Sequence, residues 1–479
     1  MPTRSLAAAR RAGVLAKHMA SSVSSELQEE PLVKFEEHLA VRRFILNRPQ
    51  KLNALNAQML DSLASRIEQW DHAELCGVIV GTGTGKAFSA GGDVAGVIED
   101  AAHEATRPKA VDYFRREYGL DYTLANLSKP FVAIMDGLTF GGGFGLVVPA
   151  PFRVATEKCA VSMPETKIGF FPDVGASYYL SRLDGQIGTY LALTGTSLSG
   201  RAVFEHGLAT HYIPSARVPL LLESLAGLEK PTFAQVNEAI EDLHYDREPS
   251  DTVAPLSGEI RAALDSAFSQ GTVKGIISAL QTYVTSGATT EVVQWAKDTL
   301  SMLEERSPTS LEVALAAIRK GKSLDLLESF KMELAMAAAF CNGASSDFHT
   351  GVTSVIVEKV KSRPAWSPAS LSQVDVAKLE AAFFRPGANP PQLMLPEALH
   401  KPHPPPTSFL RYGLPAENEV QALVEGRHAS SGSGALTLQE LIVKAEDLRG
   451  GKHGVAEKVR EVVSRRCTAD KDGYLKWKH

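Results

Sequence analysis

The 479-residue sequence predicts an α/β fold that gives way to helices towards its C-terminus. Two short apolar runs are each followed by a glycine-rich turn and then by helical periodicity. A third strand–loop unit follows them. Beyond about residue 185 the apolar spacing is mostly that of helices. Strands alternating with helices mark α/β architecture.

The elements follow in order. LVKFEEHLAVRRFIL (32–46) alternates loosely and predicts a hairpin of strands. LNALNAQMLDSLASRIEQW (52–70) carries Leu52, Leu55, Met59, Leu63, Ile67 and Trp70 at helical spacing. GVIV (77–80) is a short buried strand ahead of GTGTGKAFSAGGDV (81–94), and PFVAIMD (130–136) is another ahead of GLTFGGGFGLVV (137–148). FRVATEKCAVSMPE (152–165) is the third unit and runs into MPETKIGFFPDVG (163–175). Helices continue through LDLLESFKMELAMAAAFCNG (324–343). HKPHPPPTSF (400–409) is proline-rich and extended, HASSGSG (428–434) has linker composition, and a lysine-rich helical end follows.

Composition narrows the function. Hydrophobic residues make up 44% and charged residues 22%, as in ordinary globular proteins. A net charge of −5 implies no broad nucleic-acid footprint. No apolar run approaches the roughly 18 residues of a membrane span. Cys76, Cys159, Cys341 and Cys467 are too scattered for a disulfide scaffold or a zinc site, and suit a reducing compartment. His400 and His403 have nothing nearby to complete a metal set, so no metal is expected. Residues 1–25 carry Arg4, Arg10, Arg11 and Lys17, and no acid precedes Glu26. That is the profile of a mitochondrial transit peptide.

The glycine loops fail the usual phosphate tests. Lys86 is followed by Ala87 rather than Ser or Thr, and GGGFG lacks the dinucleotide spacing. No G-x-S-x-G occurs. Two glycine turns can instead bring bare backbone N–H groups to one oxygen, as an oxyanion hole requires. Close by in sequence, Glu165 and Asp173 stand eight residues apart among Ile168, Phe170 and Phe171. A solvated loop needs no phenylalanines, and a core strand does not tolerate acids.

NRPQKLNALN (47–56), GTGTGKAFSAGGDV, DGLTFGGGFGL (136–146) and MPETKIGFFPDVG together resemble the enoyl-CoA hydratase/isomerase (crotonase) superfamily. Within it the chain is similar to the 3-hydroxyisobutyryl-CoA hydrolases. LALTGTSLSGRAVFEHGLATHYI (191–213), SPTSLEVAL (307–315) and DFHTGV (347–352) carry that likeness onward, over about residues 32–385. The resemblance implies a spiral of ββα units over 32–225, a helical region over 226–385, and an additional C-terminal extension over 386–479. It implies an acyl-CoA thioester substrate, hydrolysed in valine breakdown in the mitochondrial matrix, with no cofactor beyond the CoA of the substrate. It places an oxyanion hole at the N–H groups of Gly92 and Gly142. Glu165 is then nucleophile or general base, and Asp173 orients water or protonates the departing sulfur. Glu117 would meet the acyl hydroxyl, and Lys51, Asn53, Ala90 and Asp93 lie on segments that border CoA. Family hydratases carry a glutamate where this chain has Gly145, and glycine where it has Asp173. Hydration or isomerisation is therefore the weaker expectation. A homo-oligomer is common among such proteins. Some relatives are structural proteins of the mitochondrial small ribosomal subunit. The extension, with its basic KVREVVSRR (458–466), is expected to offer a docking surface for a protein or RNA partner.

Overall fold

The computed structural model describes residues 30–478 apart from 249, 250, 252, 386, 388, 401–408 and 433. The transit-peptide expectation for residues 1–25 lies outside them. The chain divides into two units, 1–32 and 33–479, and every element named below belongs to the second.

The chain weaves between two sheets. The larger has six strands in the order β1 (Val33–His38), β2 (Val41–Leu46), β3 (Val78–Gly83), β5 (Phe131–Met135), β7 (Phe152–Ala155) and β10 (His211–Tyr212). The smaller runs β4 (Ala87–Ser89), β6 (Leu138–Phe140), β8 (Ala160–Ser162) and β9 (Leu198–Ser199). Each turn of the spiral lays one strand in each sheet: β3 then β4, β5 then β6, β7 then β8. All joins from β2 to β10 in the larger sheet are parallel. Parallel strands buried on both faces read as continuous apolar runs, and β5 is buried along its whole length. The expected hairpin forms as the antiparallel β1–β2 pair, turning at Leu39.

Helix α1 (Ala57–His72) starts later than its apolar spacing suggested. The side chain of Asn56 caps it by accepting the Met59 N–H at 3.0 Å. Leu55 instead pairs with the glycine turn, donating its N–H to the Gly91 carbonyl. Helices α2 (Val94–Ala102) and α3 (Arg107–Ala125) follow β4, and α4 (Gly142–Val147) follows β6. The helical region contributes α5 (Gly258–Phe268) and α6 (Leu326–Cys341). Beyond it lie α7 (Val376–Phe384), α8 (Glu417–Val424), α9 (Leu438–Leu448), α10 (Val455–Arg466) and a terminal hairpin, β11 (Cys467–Ala469) with β12 (Leu475–Trp477). The sequence pattern did not anticipate that hairpin.

Residues 33–479 pack as one unit, so the boundaries read at 225/226 and 385/386 do not separate compact bodies. The fully buried guanidinium of Arg153 donates to the carbonyls of Ala150, Leu208 and, from the extension, Phe409, at 2.7–2.8 Å. Tyr412 packs on Phe152 at 4.6 Å between ring centres. Three of the four cations in the basic run at 458–466 are drawn into contacts with the core. Lys458 pairs with Asp184 at 2.6 Å, and Arg465 and Arg466 both reach Glu417. Arg261 on α5 meets the same Glu417 at 3.1 Å, and Arg466 meets Asp265 at 3.0 Å. Lys458, Arg465 and Arg466 thus serve the core, while Arg460 of the same run stays exposed.

Candidate active site

The two glycine turns converge. Gly91 and Gly92 follow β4, and Gly141 and Gly142 follow β6. A Cβ on Gly142 would sit 3.2 Å from the Gly92 nitrogen and overlap the Glu117 carboxyl. A Cβ on Gly92 would press on the Tyr113 hydroxyl at 2.6 Å, and one on Gly141 would stand 2.7 Å from Glu165 Oε1. Glycine is required here because backbone and side chains meet at contact distance, and Gly141 also holds a φ of +48°. Gly142 opens α4, so its N–H has no carbonyl one turn behind it. At the other turn, Leu55 exchanges bonds with Gly91 and Asp93 and passes over the Gly92 N–H. Among the described residues, no backbone acceptor outside helices and strands takes the N–H of Gly92 or Gly142.

Five buried acids gather at this point: Glu117, Asp121, Glu165, Asp173 and Glu333. Glu165 opens a short 3-10 turn (Glu165–Ile168) that ends on Gly169 at φ +74°. A Cβ there would overlap the Asp347 carbonyl, so the segment is pressed against DFHTGV. The phenylalanines dry the pocket. Phe170 stacks on Phe114 at 5.4 Å and on Phe348 at 4.5 Å, and packs on Phe340 at 5.1 Å. Asp173 accepts the Tyr118 hydroxyl at 2.6 Å. Glu117 accepts the Tyr113 hydroxyl at 3.2 Å. Glu333 accepts from the Gly175 and Ser177 N–H groups and the Ser177 hydroxyl, holding the chain just past Asp173. Among the described residues, Glu165 Oε2 and both oxygens of Asp121 have no hydrogen-bond partner.

The acids repel each other's charge in a dry setting. Burial, then the Asp173 charge, pushes Glu165 and Glu117 well above the usual carboxylate range. Asp121 is raised by burial and then by Glu117, Asp173 and Glu333. Burial raises Asp173 to about 7, with the Tyr118 hydroxyl restraining the rise. Glu333 is pushed up to about 8 by burial, against the restraint of its three donors.

Gly145 has lost any room for a side chain. A Cβ there would meet Asp121 Oδ2 and Val174 Cβ, each at 2.6 Å. Val174 itself sits at φ +54°, a left-handed conformation that a β-branched residue adopts under constraint. The kink places Val174, beside Asp121, where a residue at 145 would otherwise project.

The residues expected to border CoA fare unevenly. Lys51 is exposed, and Ala90 donates its N–H to the Leu52 carbonyl at 2.9 Å. Asp93 pairs with Arg48 at 2.7 Å. Asn53 is fully buried, which corrects its expected ligand role. Its amide donates to the Thr84 and Ala87 carbonyls while its oxygen accepts the Arg48 N–H. The side chain pins the loop and cannot reach a ligand.

The sequence pointed to Glu117, Glu165, Asp173, Gly92 and Gly142, and these come together. It missed Tyr113, Tyr118, Asp121 and Glu333. A signal existed for three of them: Tyr113, Glu117 and Asp121 recur every four residues along α3, with Tyr118 one step round. Acids and tyrosines on the buried side of a helix are candidates for a site. Glu333 left no such trace, since its partners lie 156 and 158 residues away.

The enoyl-CoA hydratase/isomerase family model matches residues 41–383. The small ribosomal subunit protein mS47 of Neurospora crassa is 38% identical over the whole of this chain and 94% of its own. The mitochondrial 3-hydroxyisobutyryl-CoA hydrolase of Homo sapiens is 36% identical over 78% of this chain and 93% of its own. The crystal structure of a carnitinyl-CoA dehydratase from Mycobacterium thermoresistibile superposes with a TM-score of 0.67 at 30% identity, covering 77% of this chain and all of that one.

Proposed function

This chain belongs to the enoyl-CoA hydratase/isomerase family, and from that premise we propose that it hydrolyses an acyl-CoA thioester, 3-hydroxyisobutyryl-CoA by preference, in mitochondria. One observation supports the reading: the glycine turns at 91–92 and 141–142 meet at contact distance from the buried carboxyls of Glu117 and Glu165, with the buried Asp173 close enough to raise both, in an aromatic pocket. The N–H groups of Gly92 and Gly142 would hold the thioester oxygen and the negative charge that builds on it. One such donor is worth roughly 3–4 kcal/mol in a protease. Glu117, held by Tyr113, suits the acyl hydroxyl.

The protons decide how the two acids divide the work. Tyr118 donates to Asp173, which favours placing the pair's negative charge there. Glu165, whose Oε2 meets no donor among the described residues, keeps its proton. Asp173 then takes a proton from water as that water attacks the carbonyl carbon. The C–S bond breaks and Glu165 protonates the sulfur, giving the free acid and CoA thiol. Attack by Glu165 itself, through a mixed anhydride, first requires its proton to pass to Asp173. The acid–base route uses the protons where they lie. No protein-bound cofactor enters either route.

Release of free thiol from a panel of acyl-CoA esters by the purified chain tests this. The expected result is turnover, fastest with the 3-hydroxyisobutyryl ester. No thiol release from any ester overturns it.

A second reading rests on a separate observation. The match to the ribosomal protein spans the entire chain, whereas the match to the human hydrolase spans 78% of it. The extension that makes the difference is packed onto the core. We infer that the chain also associates with the mitochondrial small ribosomal subunit. Co-sedimentation with that particle from mitochondrial extract is expected; a chain found only in the soluble fraction contradicts it.

A further inference from the structure

A group of two histidines and an aspartate forms where the extension crosses the core. His244 and Asp246 follow the helix Phe233–Glu241, and His453 lies in the turn between α9 and α10. One donor atom from each falls within 4.8 Å of the others. The aspartate oxygen is 3.0 Å from the His453 nitrogen and 3.9 Å from that of His244. Tetrahedral ligands held at roughly 2.0–2.2 Å from a metal stand about 3.4 Å apart. The three atoms are therefore close enough to surround one ion once a ring has turned.

The rings mark the one rearrangement required. His244 and His453 stack at 4.7 Å with planes 9° apart. An ion lies in the plane of each imidazole that binds it, so one ring must leave the stack. His453 is the free one. Its side chain is 43% exposed and that of Asp246 is 78% exposed, whereas His244 is 3% exposed and rests on Phe204. The turn carrying His453 is otherwise fixed: its N–H donates to Glu241, and the neighbouring Lys452 pairs with the same carboxylate. That pairing keeps the lysine charge occupied beside the site. His244 and Asp246 also line a cavity of about 310 Å³, which gives an ion a path of approach.

We propose that His244, Asp246 and His453 bind a divalent transition-metal ion of the zinc class. Two imidazole nitrogens and one carboxylate oxygen suit zinc, nickel or copper rather than magnesium or calcium. Asp246 and His453 stand 207 residues apart in sequence, so the ion would fasten the extension to the core. This inference is independent of the pocket chemistry above.

The test uses the metal-free full chain, titrated with Zn²⁺ against a chromophoric chelator, beside Asp246→Asn and His453→Gln. Both substitutions lie at partly exposed side chains, and circular dichroism checks their folding. One zinc equivalent is expected in the unsubstituted chain, weakened more than about tenfold in each variant. Zinc should raise the melting temperature of the unsubstituted chain and leave those of the variants unmoved. Magnesium should do nothing, and thiol release should be unchanged throughout. Absence of zinc binding, or equal binding in all three chains, overturns the proposal.

Discussion

Two regions of the molecule cover acids and treat them in opposite ways. In the pocket, Glu117, Asp121, Glu165, Asp173 and Glu333 stand together and all are raised. Along the seam between core and extension, Asp184, Glu417 and Glu461 are largely covered, with side chains 11–28% exposed, yet all are lowered. Burial pushes upward in both places. At the seam Lys458 outweighs it for Asp184, Arg465 for Glu461, and Arg465 with Arg261 and Arg466 for Glu417. No cation appears among the causes that shift the pocket acids. The seam acids are somewhat less deep, but the sign of the shift is set by their cationic partners. A paired buried acid is fixed in its charged form and holds segments together. An unpaired one keeps a proton that chemistry can use.

The largest expected effect tests the pocket half of this contrast. Glu165→Gln and Asp173→Asn should each lower kcat for thioester hydrolysis by about 10²–10⁴-fold with folding intact. Near-normal turnover in both would remove the pair from the mechanism. Next comes the seam. Glu417→Gln leaves Arg261, Arg465 and Arg466 short of a partner, and should destabilise the protein by about 3–5 kcal/mol, read by urea denaturation. A change within error would mean that these ion pairs are dispensable.

Tyr118→Phe should act more mildly. It removes the hydroxyl that restrains Asp173, a charge-linked hydrogen bond worth about 1.5–3 kcal/mol. Turnover at pH 7 should fall about tenfold, and the acid limb of the pH profile should move to higher pH. An unmoved limb would show that Tyr118 does not set that titration. The smallest effect is on stability. Asp121 is raised, so its folded form holds a proton that the unfolded form releases above about pH 4. That protonated form stabilises the fold at low pH, and the benefit is lost as pH rises. Asp121→Asn should therefore melt higher than the parent at pH 8 and alike at pH 4. The seam acids run the other way: their contribution is full above about pH 4.5 and is lost as pH falls. Equal melting at both pH values would place Asp121 in a wetter setting than the structure gives it.

The contrast also explains what the sequence could convey. The glycine turns, the strand alternation and the kinked MPETKIGFFPDVG are local, so the spiral and its main acids were legible. Tyr118 and Asp121 needed the buried face of α3 to be known. The seam needed pairs such as Lys458 with Asp184, 274 residues apart; nothing in KVREVVSRR announces that Lys458, Arg465 and Arg466 point inward while Arg460 does not. Asn53 failed for a related reason. Its place in a ligand-bordering motif was visible, but its three hydrogen bonds to the loop were not.

One profile bears most directly on the claim that unpaired burial tunes the pocket. Turnover of 3-hydroxyisobutyryl-CoA by the full chain, followed from pH 5 to 9, should rise through an inflection near pH 7 as Asp173 loses its proton. Asp173→Asn should abolish that limb in whatever activity remains. A profile flat from pH 5 to 8, with Asp173 already ionised at the acid end, would contradict the account.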